Sequence, residues 1–583
     1  MQQLKIMGRI LSAFGVIGLG LCLSSLGYAS NEPNACERPS DASKRLLWGD
    51  LHVHTANSLD AYAFGVRHTP ADAFAFGKGQ SLLDTTGELL QIDRPLDFMA
   101  VTDHAESFSI TYLCGDPGSS NTDYCLGLRD KAQPKTGLSV FRNYLIPLLV
   151  VPEPELPAAL CDSEDCTSAN SWQWQRAVRQ ANDANEPCEF TAFIGQEWSG
   201  TPGGAHTHRN VIFRNQHVPD DTFDYLRYPS PQALWAALDE GCTEAAGCRA
   251  LAIPHNSNLA EGLGFDIETE SPETLALRAR YERVAEVFQS KGQSECLAPE
   301  WTDESSDCSF EVSIPASIQK KLNLGGEEAK EAWSQLRKAY LRDVLNRGLN
   351  NYQAMGTNPL ELGFIGSTDT HSANPGDVTE DDWSGDVWSQ GEGAKGRFRR
   401  LSFNPGGLVG VWAETNTRES IFDALHAREV YATSGPRIGL RVFADDKPAG
   451  RCESRQAPSA STVMGGTLPS KIDKVYFTVI AQSDKTPLVG IEIVKSEAGE
   501  EPVTEVLSVA TDDSGRDYWC IEWQDATFKP NTAAYWYVRV EEGPTPRWSK
   551  VDCVAEGLCQ DYPGANRDVQ ERAWSSPIWY YPE

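Results

Sequence analysis

Short apolar runs that stop at ionisable side chains recur along the first two thirds of the chain. Leu46–Val53 ends in His52-Val53-His54, and Leu96–Val101 leads into Thr102-Asp103-His104. Phe190–Gln196 leads into Glu197, Ala250–Ile253 into Pro254-His255, and Leu362–Ile365 into Asp369-Thr370-His371. Val284–Phe288 and Leu408–Trp412 are runs of similar length, and Arg209–Phe213 neighbours the third. Runs this short read as buried strands. Helical patterns lie between them: Ala71–Phe76 after Pro70, Trp172–Asn185, Pro231–Leu238, Pro272–Arg283, Arg418–Ala427 and, clearest, Glu327–Leu349. Phe141–Val151 is apolar but interrupted by Pro147. Alternation of strand and helix predicts an α/β fold with a parallel sheet of barrel type. Phe108–Gly137, rich in Gly, Asp and Ser, reads as a long loop, as do 158–170, 259–272 and 292–326.

The pattern changes after about Arg437. Val475–Ala481, Val489–Val494, Val503–Val509, Tyr518–Trp523 and Ala534–Val540 alternate like strands, and helical patterns stop. This predicts a smaller β-rich, sandwich-like region over 438–583. Its aromatic tail, Trp574–Tyr581, is expected to pack back on the body as a last strand.

The N-terminus reads as an export signal: Lys5 and Arg9, an apolar stretch from Ile10 to Leu26, and small residues Gly27 and Ala29 before a cleavage point after Ala29. A membrane anchor is the alternative, against which the Gly and Ser interruptions count. This divides the chain into a signal at 1–29, a body at 30–437 and the β-rich region, and predicts a periplasmic or extracellular protein with no membrane span after processing. Export changes the reading of the 15 cysteines. Without Cys22 the number is even, and disulfides are the default in an oxidising compartment. Cys114 and Cys125, Cys161 and Cys166, Cys242 and Cys248, Cys296 and Cys308, and Cys553 and Cys559 are close neighbours in polar loops; spacing alone leaves the connectivity open. None forms a CxxC pair, which speaks against a thiolate zinc site. Losing Lys5 and Arg9 takes the formal charge from −31 to −33, which disfavours a nucleic-acid polymer or an anionic membrane as partner. Oligomeric state is not legible.

The run ends carry the chemistry. Loops at strand ends converge on one face in parallel α/β folds. Residues i and i+2 of an extended strand share a face, so His52 and His54, and likewise Asp369 and His371, are expected to reach one cluster. Eight of the 10 histidines (52, 54, 68, 104, 206, 208, 255 and 371) lie in or near these stretches. Imidazole with carboxylate suits zinc, manganese or iron. Arg209, beside His208, and Arg437 are candidate phosphate clamps, because guanidinium matches phosphate in bidentate fashion. Lys291, after the fifth strand, is a candidate substrate contact. Asp103 is a candidate to orient an imidazole or protonate a leaving group.

His52-x-His54, Thr102-Asp103-His104, Glu197, His255 and Asp369-x-His371, in this order, resemble the PHP (polymerase and histidinol phosphatase) superfamily. The phrases Gly49-Asp50-Leu51-His52, His208-Arg209-Asn210-Val211-Ile212-Phe213 and Tyr431-Ala432-Thr433-Ser434-Gly435-Pro436-Arg437 resemble an exported bacterial branch of it, catalogued as a domain of unknown function. The resemblance spans roughly residues 46–437 and implies a distorted (β/α)7 barrel. It also implies two or three divalent ions and hydrolysis of phosphoesters. By that resemblance His52, His54, Glu197 and Asp369 bind at the core of the cluster, and His104, His255 and His371 complete it. Asp60 stands where the family often has a further ligand. One more ligand falls between Glu197 and His255, where His206 competes with His208; His208, which opens the apolar run Val211–Phe213, is preferred. A water bridging two dications is then the nucleophile. The expected substrate is a small phosphomonoester or phosphodiester. Hydrolysis of carboxylic ester, carbamate or amide bonds is the alternative, and a non-catalytic metal-binding protein the second.

Overall fold

Helices begin where the sequence offers a hydroxyl followed by proline. Thr69-Pro70, Ser230-Pro231 and Ser271-Pro272 open the helices Pro70–Gly77, Pro231–Gly241 and Pro272–Tyr281. In each, the Ser or Thr oxygen accepts a backbone N–H of the first turn, while proline sits where its missing donor costs nothing. In the computed structural model, the described residues are 36, 44–115, 120–151, 154–301, 307–389, 391–454, 461–499 and 503–583. The expected signal lies outside them. The elements below all belong to the compact unit Arg38–Glu583.

The fold is mixed α/β. We number its principal strands β1 (Arg45–Asp50), β2 (Phe98–Ala100), β3 (Thr191–Phe193), β4 (Gly195–Trp198), β5 (Arg209–Phe213), β6 (Ala250–Pro254), β7 (Val284–Gln289), β8 (Gly363–Gly366), β9 (Leu408–Ala413) and β10 (Val430–Thr433). β11 (Leu488–Glu497), β12 (Val503–Arg516), β13 (Ala534–Glu542), β14 (Arg572–Ser575) and β15 (Ile578–Tyr580) follow. A ten-stranded sheet runs β12-β11-β13-β14-β10-β9-β1-β2-β3, with β15 also on β13. Strands β4-β5-β6 form a second sheet and β7 and β8 a third, while Gly439–Asp445 and Tyr476–Gln482 anchor a four-stranded antiparallel one.

Pairing directions differ from the all-parallel expectation. β1–β2, β2–β3 and β7–β8 are parallel, but β9 runs antiparallel to β1, and β5 antiparallel to both β4 and β6. Burial on both faces makes a strand read as a continuous apolar run whatever its partner's direction, so the pattern could not distinguish them. The body and the β-rich region share the large sheet: β14 lies between β10 and β13, with Trp574 opposite Ala432 and Arg539.

Three other expectations change. The 108–137 segment carries the helices Phe108–Gly115 and Asp123–Lys131, stapled by Cys114–Cys125, where a loop was expected. Glu327–Leu349 is two helices, Gly326–Arg337 and Leu341–Met355. The amides of Leu341 and Arg342 donate to the carbonyls of Ser294 and Glu295, and buried Tyr340 seats the junction. Those tertiary bonds replace the ones a continuous helix would make. A helix, Trp548–Ala555, also interrupts the β-rich region. All five close cysteine pairs are disulfides, and Cys452 joins Cys520. Among the described residues no helix is long and apolar enough to cross a membrane.

Tight packing fixes the strand ends that matter. A Cβ on Gly49 would lie 2.3 Å from the ring of Phe98, and one on Gly366 would lie 2.8 Å from the carbonyls of Leu408 and Thr433. Only glycine lets β1 and β8 approach their neighbours this closely just before their active side chains emerge.

Candidate metal centre

The two outermost motifs meet directly. Val53 bridges Thr370, the His54 amide donates to the Thr370 carbonyl (2.8 Å), and the Asp369 amide donates to the His52 carbonyl (2.9 Å). Asp50, at the end of β1, accepts from the Thr368 amide and hydroxyl and from the Gly376 amide, so it locks the two loops together. Asp369 has φ of 53°, the left-handed region that a non-glycine residue seldom occupies. Asp369 and His371 therefore do not share a face of one extended strand, as the i, i+2 spacing predicted. A turn beyond β8 delivers both. Asn256, next to His255, also has φ of 53°. Such conformations persist where surrounding structure over-determines them, and they concentrate at functional sites.

The side chains of the apolar run ends converge. Glu197 is the hub. Its Oε2 lies 3.4 Å from His52 Nε2, 3.2 Å from His54 Nε2 and 3.4 Å from His104 Nδ1. Its Oε1 lies 2.6 Å from His208 Nδ1 and 3.4 Å from His255 Nε2. Asp369 Oδ1 lies 3.3 Å from the Nε2 atoms of both His52 and His54 and 3.4 Å from His371 Nδ1. Asp60 Oδ2 lies 3.2 Å from His104 Nε2 and 2.9 Å from His371 Nε2. Three overlapping groups have donor atoms close enough to hold an ion: His52, His54 and Asp369; His52, Glu197 and His255; and His54, His104 and His371. A fourth grouping, Cys296, Asp307 and Cys308, has its two thiols tied up in a disulfide.

Buried polar atoms without partners identify this as a ligand site. Both Glu197 oxygens, Asp369 Oδ1 and both ring nitrogens of His255 are buried and lack a hydrogen bond. Such atoms ordinarily find partners, and leaving one unsatisfied costs about 1–3 kcal/mol. Here they face other ligand-type atoms at 2.6–3.4 Å. The donor set therefore fits divalent metals.

Neighbours set which ring nitrogen points inward. Glu286 on β7 can only accept, and it lies 3.1 Å from His52 Nδ1, so that nitrogen carries a proton and Nε2 is the ring atom turned to the cluster. The Ser58 hydroxyl donates to Asp103 (2.8 Å), so it accepts from His54 Nδ1 at 2.9 Å, with the same result. His104 Nδ1 lies 2.6 Å from Ser199 Oγ, and His208 Nε2 lies 2.9 Å from Thr201 Oγ1.

The electrostatics follow the contacts. Burial disfavours a charged His52, but Asp369 and Glu286 outweigh it and push its pKa up to about 10. Burial, reinforced by His371 and His104, lowers His54 to about 4, and burial lowers His208 to about 4 against the pull of Glu197. Glu197, Asp369 and Asp60 are held well below the usual carboxylate range: burial opposes this, and the surrounding imidazoles prevail. The carboxylates thus stay ionised and ready to bind cations.

Other expected residues have different places. Between the competing histidines, His208 touches Glu197, while His206 stacks on the His208 ring, centroids 4.9 Å apart. Asp103 does not bond to the ring of adjacent His104. It accepts from the Thr55 amide and hydroxyl and from Ser58, so it orients His54 through Ser58. Arg209 is no phosphate clamp. It is 1 % exposed, and its guanidinium donates to Glu282 (2.9 Å) and to the carbonyls of Thr207 and Gly264. Arg437 donates to the carbonyls of Arg94 and Pro95 and lines a different cavity. Lys291 does reach the cluster, pairing with Asp369 Oδ2, which also accepts from Gln289 (2.7 Å). Glu286, Gln289 and Ser58 were missed. The signal for Glu286 was present: a lone carboxylate inside the buried run Val284-Ala285-Glu286-Val287-Phe288.

A cleft reaches the cluster from outside. Asp369, His371 and Lys291 line its floor, and Trp388, Phe403 and Asp386 stand among its walls.

No curated protein is similar to this chain. Among solved structures, it resembles a two-domain protein from Bacteroides vulgatus ATCC 8482 containing a predicted PHP-like metal-dependent phosphoesterase. The two share 10% identity over 86% of this chain and 93% of that one, with a TM-score of 0.30. The family model described as "Protein of unknown function (DUF3604)" matches residues 41–519 and 495–582, and the chain belongs to that family.

Proposed function

We propose that the protein is an exported, metal-dependent phosphohydrolase of PHP type, acting on a small phosphomonoester or phosphodiester. One observation carries this reading: Glu197, Asp369 and Asp60 each stand between two or more imidazoles, and the first two keep buried oxygens without hydrogen bonds. A carboxylate so placed is suited to link neighbouring ions. His52, His54, Glu197, Asp369, His104, His255, His371, His208 and Asp60 would hold two or three of them, zinc, manganese or iron by donor type. In the same reading β1, β2, β4, β6, β7 and β8 present their ends as strands of a distorted (β/α)7 barrel. The disulfides agree with an oxidising compartment.

When bound, divalent ions supply an acidified water and neutralise phosphoryl oxygens. The chain's own residues do the rest. Glu286 and Ser58 fix two imidazoles in the right tautomer. Lys291 places a cation at the cluster's open side, where a phosphoryl oxygen can replace its contact with Asp369. In hydrolysis the water oxygen joins phosphorus, the ester P–O bond breaks, and a proton passes to the leaving oxygen.

The test is direct. The mature protein, with bound metals quantified, is assayed on nucleotides, sugar phosphates, phosphodiesters and carboxylic esters. Phosphoester hydrolysis that disappears in a His52→Ala, His54→Ala protein is expected. Cleavage of carboxylic esters alone would overturn the phosphatase reading, and full activity in the double variant would overturn the metal mechanism.

A further inference from the structure

One side-chain amide ties together three of the loops that build the metal centre. Gln289 closes β7, is buried, and uses both ends of its side chain. Its Nε2 donates to Asp369 Oδ2 (2.7 Å) and to Asn256 Oδ1. Its Oε1 accepts from the backbone amide of Lys291. Asp369 and Asn256 both hold the left-handed φ of 53°, and Asn256 directly follows His255. The backbone beneath Gln289 is itself fixed. Its carbonyl accepts from the Asn404 side chain (3.2 Å), and the next amide, of Ser290, donates to the Thr368 carbonyl (3.1 Å).

The two oxygens of Asp369 have separate partners. Oδ1 lies between His52 and His54 and makes no hydrogen bond. Oδ2 takes Gln289 Nε2 and the Lys291 ammonium together. Lys291 is rooted at both backbone groups, its amide on Gln289 and its carbonyl on the Asn258 side chain (2.9 Å). Only its head, at the floor of the cleft, can change partner. An anion in the cleft that draws the ammonium away removes one of the two donors on Oδ2. Gln289 stays, so the buried carboxylate is not left without a donor and does not turn.

We infer that Gln289 is a positioning residue that holds the Asp369 carboxylate toward the metal centre and thereby leaves Lys291 free to exchange from Asp369 to the phosphoryl group. The exchange rests on the phosphohydrolase reading; the hold on Asp369 stands on the hydrogen bonds alone. Gln289 and Lys291 are then redundant for metal binding, since either can hold Oδ2, and both are needed for anion binding.

Gln289→Met, Lys291→Met and the double variant are compared with wild type in two titrations: the apo-protein with zinc, and the zinc-loaded protein with inorganic phosphate. Each single variant is expected to bind zinc within about threefold of wild type, and the double variant about 10–100-fold more weakly. Such non-additivity marks two residues that act on one group. Phosphate affinity is expected to fall by about tenfold in both single variants, because one lacks the cation and the other pins it on Asp369. Gln289→Glu keeps the length and the acceptor for the Lys291 amide but, as a carboxylate, cannot donate to Asp369; it is expected to weaken phosphate binding as Gln289→Met does. A double variant that binds zinc like wild type overturns the inference. So does a Lys291→Met protein that loses zinc as completely as the double variant, or undiminished phosphate binding in both Gln289 variants. Zinc-loaded wild type that neither binds phosphate nor hydrolyses a phosphoester overturns the phosphohydrolase reading and the exchange with it, while the zinc titrations still decide the hold on Asp369.

Discussion

Two buried polar clusters lie close in sequence and behave oppositely. The metal centre keeps buried oxygens and nitrogens without hydrogen bonds. The other cluster surrounds Glu295, a few residues beyond Lys291. Glu295 accepts from Arg342 (2.7 Å) and Trp574 Nε1 (2.7 Å), and from Tyr537 and Arg539. Arg342 and Arg539 also share Asp307, and Arg539 pairs with Glu492. The partners come from separate parts of the chain: the helix Leu341–Met355, β11, β13, which supplies both Tyr537 and Arg539, β14 and the segment at Asp307. Both clusters pay for burying charge, but only the second recovers it within the protein. A satisfied buried network ties a fold together, whereas an unsatisfied one waits for a ligand.

The largest effect should separate the two outright. Removing divalent ions with a chelator is expected to reduce phosphoester hydrolysis by about a thousandfold or more, because a metal-activated nucleophile is worth several kcal/mol. The melting temperature should fall as well, since ions that bind only the folded state stabilise it. Adding back zinc, manganese or iron should restore both. A chelated protein with unchanged melting temperature and activity would place the metal centre in the same class as the Glu295 network.

The converse perturbation is Glu295→Gln. It leaves two buried guanidiniums short of a counter-charge, and the expected loss of stability is about 3–5 kcal/mol. Metal content and activity per folded molecule should not change. The pH dependence has a definite sign. Arg539 and Arg342 hold Glu295 well below the usual glutamate value, against its burial. Its contribution is therefore fully present above the unfolded glutamate pKa and disappears as pH falls through the folded one. Urea unfolding from pH 7 downward should show the wild-type advantage over the variant shrinking only in the acid range. An advantage independent of pH would remove the ion pair from the explanation.

What was legible in the sequence follows the same division. Glu197, Asp369 and the histidines stood out because His or carboxylate side chains recur at the ends of five separate apolar runs, which a structural role at each one alone would not produce. The Glu295 network did not, because most of its partners are distant in sequence, up to 279 residues from Glu295, and no local pattern links them. Strand direction was hidden for a related reason: periodicity reports which faces are buried, not which neighbour does the burying. The break at Tyr340 arises from hydrogen bonds to Ser294 and Glu295, which no local pattern encodes.

Asp103→Asn probes the border between the clusters, a satisfied group acting on an unsatisfied one. The amide cannot accept from Thr55 and Ser58 at every position the carboxylate does, so the hydrogen-bond chain to His54 Nδ1 loosens. Supporting residues of this kind are worth about 10–100-fold in metal affinity. Titration of the apo variant with metal should show that weakening. At saturating metal, kcat should recover toward wild type, which a residue acting as the acid would not allow.

The smallest effect on catalysis is expected at Arg209, the residue whose sequence position was most misleading. It follows His208 directly, and successive residues of an extended strand point to opposite faces. His208 faces Glu197, so Arg209 must face away, and there it meets Glu282, which also binds Arg278. Arg209→Lys keeps the charge but loses the fork that reaches Glu282 and two carbonyls together. A stability loss of about 1–2 kcal/mol is expected, on the scale of the hydrogen bonds removed. KM for a phosphoester should stay within about twofold, since no contact with substrate is lost. A rise of KM by about tenfold or more at undiminished stability would return Arg209 to the phosphate and show that the two kinds of cluster touch here.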